Sequence, residues 1–502
     1  MVDALTRAIT HPPRVAAVGE RSPLAGLARR RVGFLDVLAQ SVSAVAPSAA
    51  ATTIPSLVAA AAGAATVWAI AAAMVLALLV GSTVNVFTRR MASTGSLYTF
   101  VAKGLGPGAS FMTGAAMVLG YGFISVFALA GGGYYLALLV GHLWPTAGES
   151  WVVACALVVA TGLVCLLVLI RGIRLSTRIT LLIEVTSLII IVTLVAVFIA
   201  LHGGGFEWSV VEVTDIDPSA LAAGAALGLT AFVGFESAAS LGVEARRPFA
   251  SIPRALIWTV VVAGVIFLLS TYGQVVGFDT LGRSLTASTA PVNELAGRYG
   301  VGAVGLLLDA SIAFSFVACA IASTTALVRL LFSMARDGVL PSSLGRTHRR
   351  FRTPVVAVAV TVPLVTAIPL LLIVLTRSPL AVMQFSIVCA ATGYIVSYVL
   401  VCLAAPAFLR RIDELAVWPV VRAITAALLL SIVLVVYLGW ESASLQLVGV
   451  IVALAFLLAA GVTAFITRLR EPERWRGIGS YDEAVQDDLL VGLTSGRDAD
   501  TP

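Results

Sequence analysis

The sequence predicts an all-α polytopic membrane protein with twelve transmembrane helices, two of them discontinuous. Three observations predict it. The 502 residues are 59% hydrophobic and 12% charged, with a mean hydropathy of +1.02, whereas a soluble globular chain is roughly half apolar and a quarter charged. The apolar residues fall in runs long enough to cross a bilayer. Two of those runs, at corresponding positions of the two halves of the chain, are interrupted midway. The composition excludes a soluble enzyme, a secreted disulfide scaffold and a disordered tail protein.

A hydrocarbon core about 30 Å thick needs roughly 20 apolar residues per helix. That rule gives spans near 33–62, 65–88, 108–141, 151–170, 178–201, 218–245, 254–277, 302–334, 354–376, 379–406, 417–438 and 444–468. The 33–62 and 108–141 spans are overlong. An even count puts both termini on one side, and cytoplasmic loops carry the excess of Lys and Arg. With the N-terminus in the cytoplasm, the inner loops and helix ends collect 23 basic residues against three outside, Arg283, Arg298 and Arg377. The outer segment before the sixth span carries Glu207, Glu212, Asp215 and Asp217 instead. A multi-pass protein of the cell membrane, with both termini cytoplasmic, is expected.

Residues 1–31 contain no apolar stretch of the signal-peptide kind, so no cleaved leader is expected. They read as a disordered cytoplasmic arm ending in Arg29, Arg30 and Arg31, followed by a transporter domain over 32–470. The tail from Glu471 to Pro502 holds eight acids and three arginines, a net of −5, and reads as disordered. Asp36, near the inner edge, reads as solvated.

The five cysteines, Cys155, Cys165, Cys319, Cys389 and Cys402, lie inside apolar runs and form no CxxC pair, so they read as buried structural thiols rather than zinc ligands or a disulfide framework. The four histidines lie outside the runs or at their edges. The arginines come in short clusters between apolar runs, which suits lipid headgroups and topology; nucleic-acid binding needs a basic face on a folded domain. No Asp-rich metal motif, histidine pair on a helix or phosphate-binding glycine loop is present. The chain therefore reads as no enzyme, with no cofactor and no metal.

The interruptions carry the functional signal. In the first span, Ser41-Val-Ser43-Ala-Val-Ala46-Pro47-Ser48 places a proline among small and hydroxylated residues. In the sixth, Thr230-Ala-Phe232-Val233-Gly234-Phe-Glu236-Ser237 places glycine and a carboxylate at mid-depth. A lone proline in a membrane helix ordinarily marks a kink, but paired interruptions at corresponding positions point to a transporter built from inverted repeats. Backbone unwound at that depth must line a cavity or pack inside protein. A half-helix beginning after Pro47 presents free amides and a positive dipole end, which suits a carboxylate. Carbonyls released near Ala231 to Gly234 suit an ammonium. A zwitterionic amino acid carries both charges.

Mid-membrane acids are functional candidates by default. Glu236 lies at the second interruption, where a buried carboxyl can act as a proton carrier; Glu184 in the fifth span and Asp309 in the eighth are the others. Ser311 and Ser315, four apart on one helix face, could line a cavity or an ion site together with Ser43 and Ser48. Tyr121 and Ser125 share a face of the third span by the same spacing, and Tyr121 and Ser43 are candidate substrate contacts.

The string Ala231-Phe-Val-Gly-Phe-Glu-Ser-Ala-Ala239, followed by Glu244, Arg246-Arg247-Pro248 and Ile252-Pro253-Arg254-Ala255, resembles the amino acid–polyamine–organocation (APC) permeases. Ser93-Thr-Gly95-Ser-Leu-Tyr98 with Gly104-Leu-Gly106-Pro107, and Ala335-Arg-Asp-Gly-Val-Leu-Pro341 with Thr353-Pro354, look like that superfamily's first cytoplasmic segment and its link to the ninth helix. The resemblance covers roughly residues 33–468. It implies a LeuT-like fold: a 5+5 inverted repeat (about 33–201 and 218–406) plus two peripheral helices (about 417–468), working by alternating access.

By position, Ala46, Pro47, Ser48 and Ala49 stand where the family clamps a substrate carboxylate. Phe232, Val233 and Gly234 stand where it meets the amine, Phe232 doubling as a gate. Glu236 matches the helix-six acid tied to proton coupling in some members. Two departures stand out. The family's helix-one Gly-x-Gly pattern is absent, and the helix-five lysine that several members carry in place of a sodium ion is absent too, with Glu184 on that helix instead. The reading is a secondary active transporter importing amino acids with a coupling proton or sodium ion. A polyamine or amino-acid exchanger is the alternative, and a non-transporting amino-acid sensor on the same fold a further one.

Overall fold

The computed structural model describes residues 26–148, 150–201, 207–212, 216–288, 291–298, 303–440 and 444–479. Among them the only strand-like pairing is an isolated bridge between Val32 and Ala245; the rest is helix and connection. The first span is two helices, α1 (Phe34–Val45) and α2 (Pro47–Ala62), and the second is α3 (Thr66–Thr88). A short helix α4 (Leu97–Leu105) leads into α5 (Pro107–Gly141), α6 (Trp151–Arg171) and α7 (Ile173–Leu201). The sixth span opens as α8 (Pro218–Thr230) and ends as a 3₁₀ segment, Phe235–Leu241. Then come α9 (Pro248–Thr280), the short α10 (Pro291–Arg298), α11 (Ala303–Arg336), α12 (Val355–Thr376), α13 (Pro379–Arg411), α14 (Val417–Trp440), α15 (Ser444–Arg470) and the short α16 (Pro472–Arg476).

Among the described residues, ten stretches are long and apolar enough to cross a membrane. The stretch Phe34–Thr88, 55 residues at 1.5 Å each, measures about 80 Å, far more than one bilayer core. It is divided at Gly63–Ala65, where Gly63 takes a φ of 54°. The expected fifth span is α7, a 29-residue helix outside those ten. The overlong third span is a single 35-residue helix.

α5 lies at the centre and packs most extensively against α11 and α13. Small residues let it do so. A Cβ added to Gly393 on α13 would stand 2.4 Å from the Ala116 carbonyl oxygen and 2.7 Å from the Gly120 nitrogen of α5. In lipid, helices associate through this kind of close backbone approach. Prolines inside the spans leave carbonyls that must be satisfied elsewhere. Pro55 removes the donor that Ala51 would otherwise receive, and α9 supplies two replacements: Ser270 Oγ at 2.7 Å and Gln274 Nε2 at 2.8 Å. Asp217 caps α8, and hydrogen bonds from Ser219 hold its carboxyl below the usual range.

The described parts of both ends, 26–32 and 471–479, pack on the bundle. Residues 26–32 form a strap: Leu27 is buried, Arg31 and Val32 donate backbone hydrogen bonds to the Glu244 carbonyl, and Arg246 donates back to Val32. Residues 1–25 lie outside the described part. At the other end, 471–479 dock on the bundle. Trp475 stacks on Phe111 with centroids 6.2 Å apart, Ile478 is buried, and the Gly479 amide donates to Asp337 Oδ2 at 2.7 Å. Tyr98 donates to the same oxygen at 2.6 Å; burial, with the Asp337 charge beside it, pushes its phenol well above the usual range. The physical reason is local composition. Trp475 and Ile478 give this piece apolar surface to bury, while six of the tail's eight acids lie beyond it, at 482–500, outside the described residues. Asp36 is likewise engaged rather than simply solvated: it accepts from the Gly33 amide at 3.0 Å and from Thr177 Oγ1 at 3.2 Å.

Gly393→Val should force α5 and α13 apart and destabilise the protein by about 1–3 kcal/mol through overpacking. The melting temperature of the purified protein in detergent measures this; an unchanged value contradicts the close contact.

Candidate functional site

The first interruption is centred on Ala46, one residue before the proline. Its φ of 51° and ψ of 59° are left-handed, a conformation costing a non-glycine residue about 1–2 kcal/mol. Pro47 occupies the first position of α2, where its missing amide is no loss. The second interruption spreads over Ala231–Gly234, with Gly234 left-handed at φ 97°. A Cβ there would meet the Ala44 carbonyl oxygen at 3.0 Å. The two breaks therefore touch backbone to backbone.

Hydroxyls stitch them together. Ser41 Oγ donates to the Phe235 carbonyl at 2.5 Å and accepts from the Ala238 amide at 3.3 Å, and Ser237 Oγ donates to the Gln40 carbonyl at 3.1 Å.

Beside this junction lies a cavity of about 30 Å³. It is lined by Ala46, Ala49 and Ala50 on one side and Ala231 and Val233 on the other. Among the described residues, neither the Ala231 nor the Val233 carbonyl receives a hydrogen bond. The remaining wall is mostly apolar, chiefly Ile54, Ile124, Phe127, Phe316 and Ile387; Thr53 and Thr230 add hydroxyls, and Cys319 donates to the Ala44 carbonyl at 3.4 Å. Phe127 and Phe316 meet edge to face at 5.4 Å. No carboxylate lines this space.

The two candidate acids have opposite surroundings. Glu236 is fully enclosed and both of its oxygens are satisfied: Tyr121 on α5 donates to Oε1 at 2.8 Å and Tyr398 on α13 donates to Oε2. The carboxylate thus ties the 3₁₀ segment to the two helices that flank it. Glu184 is also buried, but only Oε1 is engaged by a side chain, by Ser315 Oγ at 3.1 Å. Its Oε2 has no hydrogen-bond partner among the described residues, nor have the hydroxyls of Ser43 and Ser48. The Ser48 backbone faces Glu184, and the Ala49 amide lies 3.5 Å from Ser315 Oγ. The free end of α2 therefore points toward the fifth and eighth spans as well as along the cavity.

Several expected site residues are placed elsewhere. Tyr121 serves Glu236 and is absent from the cavity wall; Ser125 bonds to the Tyr121 carbonyl and to Ser323. Phe232 turns away from the cavity onto Phe267 of α9, with centroids 5.1 Å apart. Ser311 and Ser187 exchange reciprocal bonds to each other's carbonyls at 3.0 Å, bracing α7 against α11. Asp309 accepts from Asn293 at 2.8 Å and pairs with His142 at 3.0 Å. The wall residues Ile124, Phe127, Phe316 and Ile387 were not singled out from sequence. Ordinary apolar residues of membrane helices carry no signal, except that Ile124 and Phe127 share the i, i+3 face of α5 and Phe316 follows Ser315.

Two polar contacts lie outside the cavity lining. Toward the arginine-rich end, Arg329 and Glu244 form a buried ion pair at 2.7 Å, with the 26–32 strap laid over it. At the opposite end stands the Asn293–Asp309–His142 cluster.

Compared with known proteins, residues 32–411 match the amino acid permease family. The low-affinity putrescine importer PlaP of Escherichia coli is 27% identical over 317 residues, 61% of this chain and 66% of its own length. The branched-chain amino acid permease BcaP of Bacillus subtilis is 25% identical over 292 residues, 54% of this chain and 60% of its own. An uncharacterized transporter of Mycobacterium tuberculosis is 27% identical over 339 residues, 65% and 70%. The alignment spans less than two thirds of the length of the first two.

Tyr398→Phe should leave one Glu236 oxygen buried without a donor and cost about 1–3 kcal/mol, read as a lower melting temperature. A variant as stable as the parent contradicts the structural tie.

Proposed function

This chain belongs to the amino acid permease family, and we propose that it imports amino acids with small apolar side chains across the cell membrane by alternating access, coupled to protons. The observation that supports it is the cavity between the two breaks: the first turn of α2 at one edge, two unbonded carbonyls at the other, and largely apolar side chains between them. In this reading the substrate carboxylate takes the start of α2. Its ammonium takes the Ala231 and Val233 carbonyls, and its side chain lies among Ile124, Phe127, Phe316 and Ile387. The arrangement favours the chemistry that the BcaP name describes. A diamine such as putrescine would bring two cations to a wall without a carboxylate.

The space between the breaks, about 30 Å³, is small for an amino acid. Loading an amino acid thus requires the helices to part on one side while the other stays closed. We take the two interrupted spans as the first members of two inverted five-helix repeats within a twelve-span bundle. Both termini are taken as cytoplasmic, from the arginine distribution.

Coupling is assigned to Glu184 in preference to Glu236. An ionised Glu184 holds the Ser48 end of α2 and repels a substrate carboxylate arriving at the same amides. A proton on Glu184 removes that competition, so proton and substrate favour each other's binding, as symport requires. Ser315 holds one oxygen of Glu184 in place, and the unpartnered Oε2 is where the proton would sit. Glu236, satisfied on both oxygens, keeps the unwound segment in shape.

Proteoliposomes test this. An imposed pH gradient, alkaline inside, should accumulate alanine, valine or leucine, with no competition from putrescine and no drive from a sodium gradient alone. Binding without flux would mean a sensor, and putrescine uptake an organocation carrier. Glu184→Gln should lose gradient-driven accumulation at least about tenfold while retaining counterflow; parental accumulation by that variant rules out Glu184 as the coupling group.

A further inference from the structure

A second cavity, far larger than the first, lies at the arginine-rich end of the bundle. It measures about 740 Å³ and opens where the end of α3 meets the link from α13 to α14, with α9 forming a side wall. Three of its lining residues are guanidinium groups, Arg89, Arg90 and Arg422, and one is a carboxylate, Glu414, which leaves the lining with two excess positive charges.

The hydrogen bonds show which charges are committed. Arg90 is used up: Nε and Nη2 donate to Glu414 Oε2, and Nη1 donates to the Val86 carbonyl at 2.7 Å. Arg422 commits only Nε, to the Trp418 carbonyl at 3.3 Å. Arg89, exposed, forms no ion pair among the described residues. Two guanidinium groups thus face one open space.

The apolar surroundings identify the setting. Val86, Ile257 and Leu409 line the same cleft. Trp418 stands 75% exposed at its mouth and Trp258 55% exposed on α9, the position that tryptophans take at a membrane–water boundary. Below them, α9 and α14 present exposed Val262, Val265, Val421 and Leu428 toward lipid. A ligand that fits must be anionic at one end and apolar at the other.

We propose that this cleft is a binding site for an anionic glycerophospholipid. Its phosphate diester lies between Arg89 and Arg422, and its acyl chains run along the outer faces of α9 and α14. Guanidinium groups recognise phosphate oxygens through paired hydrogen bonds, and basic pockets between membrane helices hold acidic headgroups on this principle. Glu414 neutralises Arg90 and sets the wall of the site without occupying it. Because α3 packs against both α9 and α14, a bound lipid joins the start of α14 to α3 and α9.

Native mass spectrometry of the full chain, titrated with phosphatidylglycerol against phosphatidylcholine, tests the assignment. The parent should retain phosphatidylglycerol selectively. The double variant Arg89→Gln/Arg422→Gln should weaken that retention at least about tenfold, on the scale of two basic groups near a membrane surface. Arg349→Gln/Arg350→Gln, an exposed pair elsewhere, should leave it unchanged. Glu414→Gln, which adds net positive charge to the cleft, should strengthen it, so the result does not depend on the double variant alone. Retention unaffected by the Arg89/Arg422 pair, equal loss with the Arg349/Arg350 pair, or displacement by millimolar glycerol phosphate as effective as by lipid overturns the proposal.

Discussion

A side chain on Gly234 would come within 3.0 Å of the Ala44 carbonyl, so glycine alone lets the two interrupted spans meet backbone to backbone. Much else follows from that contact. It requires α1 to end at Val45, with Ala46 held in a left-handed conformation that the surroundings must impose. It places the start of α2 across from the Ala231 and Val233 carbonyls. It also turns the 3₁₀ segment so that Glu236 reaches Tyr121 and Tyr398. A helix continuous through either break would satisfy its own backbone and leave nothing to hold a polar substrate at that depth.

The rest of the bundle solves the resulting polar problem with short side chains. Ser41 and Ser237 bridge the breaks, Ser270 and Gln274 serve the carbonyl stranded by Pro55, and Ser187 and Ser311 brace the fifth span against the eighth. Charges are kept for a few places. Glu236 is satisfied by two phenols, Glu244 by Arg329, and Asp309 by Asn293 and His142. Glu184 is the exception, with one oxygen left without a partner, and it lies at the end of α2 where a substrate carboxylate would arrive.

The helices and the position of both breaks were legible because their signals are intrinsic to the chain. Twenty-residue apolar runs report a bilayer, and a proline or glycine reports a place where the helical ladder fails. The role of each side chain was less legible, since it depends on facing. Tyr121 and Phe232 have the chemistry of a substrate pocket, yet one serves a carboxylate and the other packs on Phe267. Ser311 and Ser315 share a face four residues apart, but only Ser315 reaches Glu184. The cavity wall is made of Ile, Phe and Ala, indistinguishable in sequence from residues facing lipid. Docking of Trp475 through Gly479 was hidden by averaging over a tail whose acids lie mostly further on.

Cys319 offers the most direct test, because it lines the proposed substrate cavity and is native. With Cys155, Cys165, Cys389 and Cys402 replaced by serine or alanine, its rate of reaction with a small thiol reagent reports access to that space. Saturating alanine, valine or leucine should slow the reaction several-fold, while putrescine should not. Equal rates with and without every amino acid would contradict a substrate site between the two broken helices.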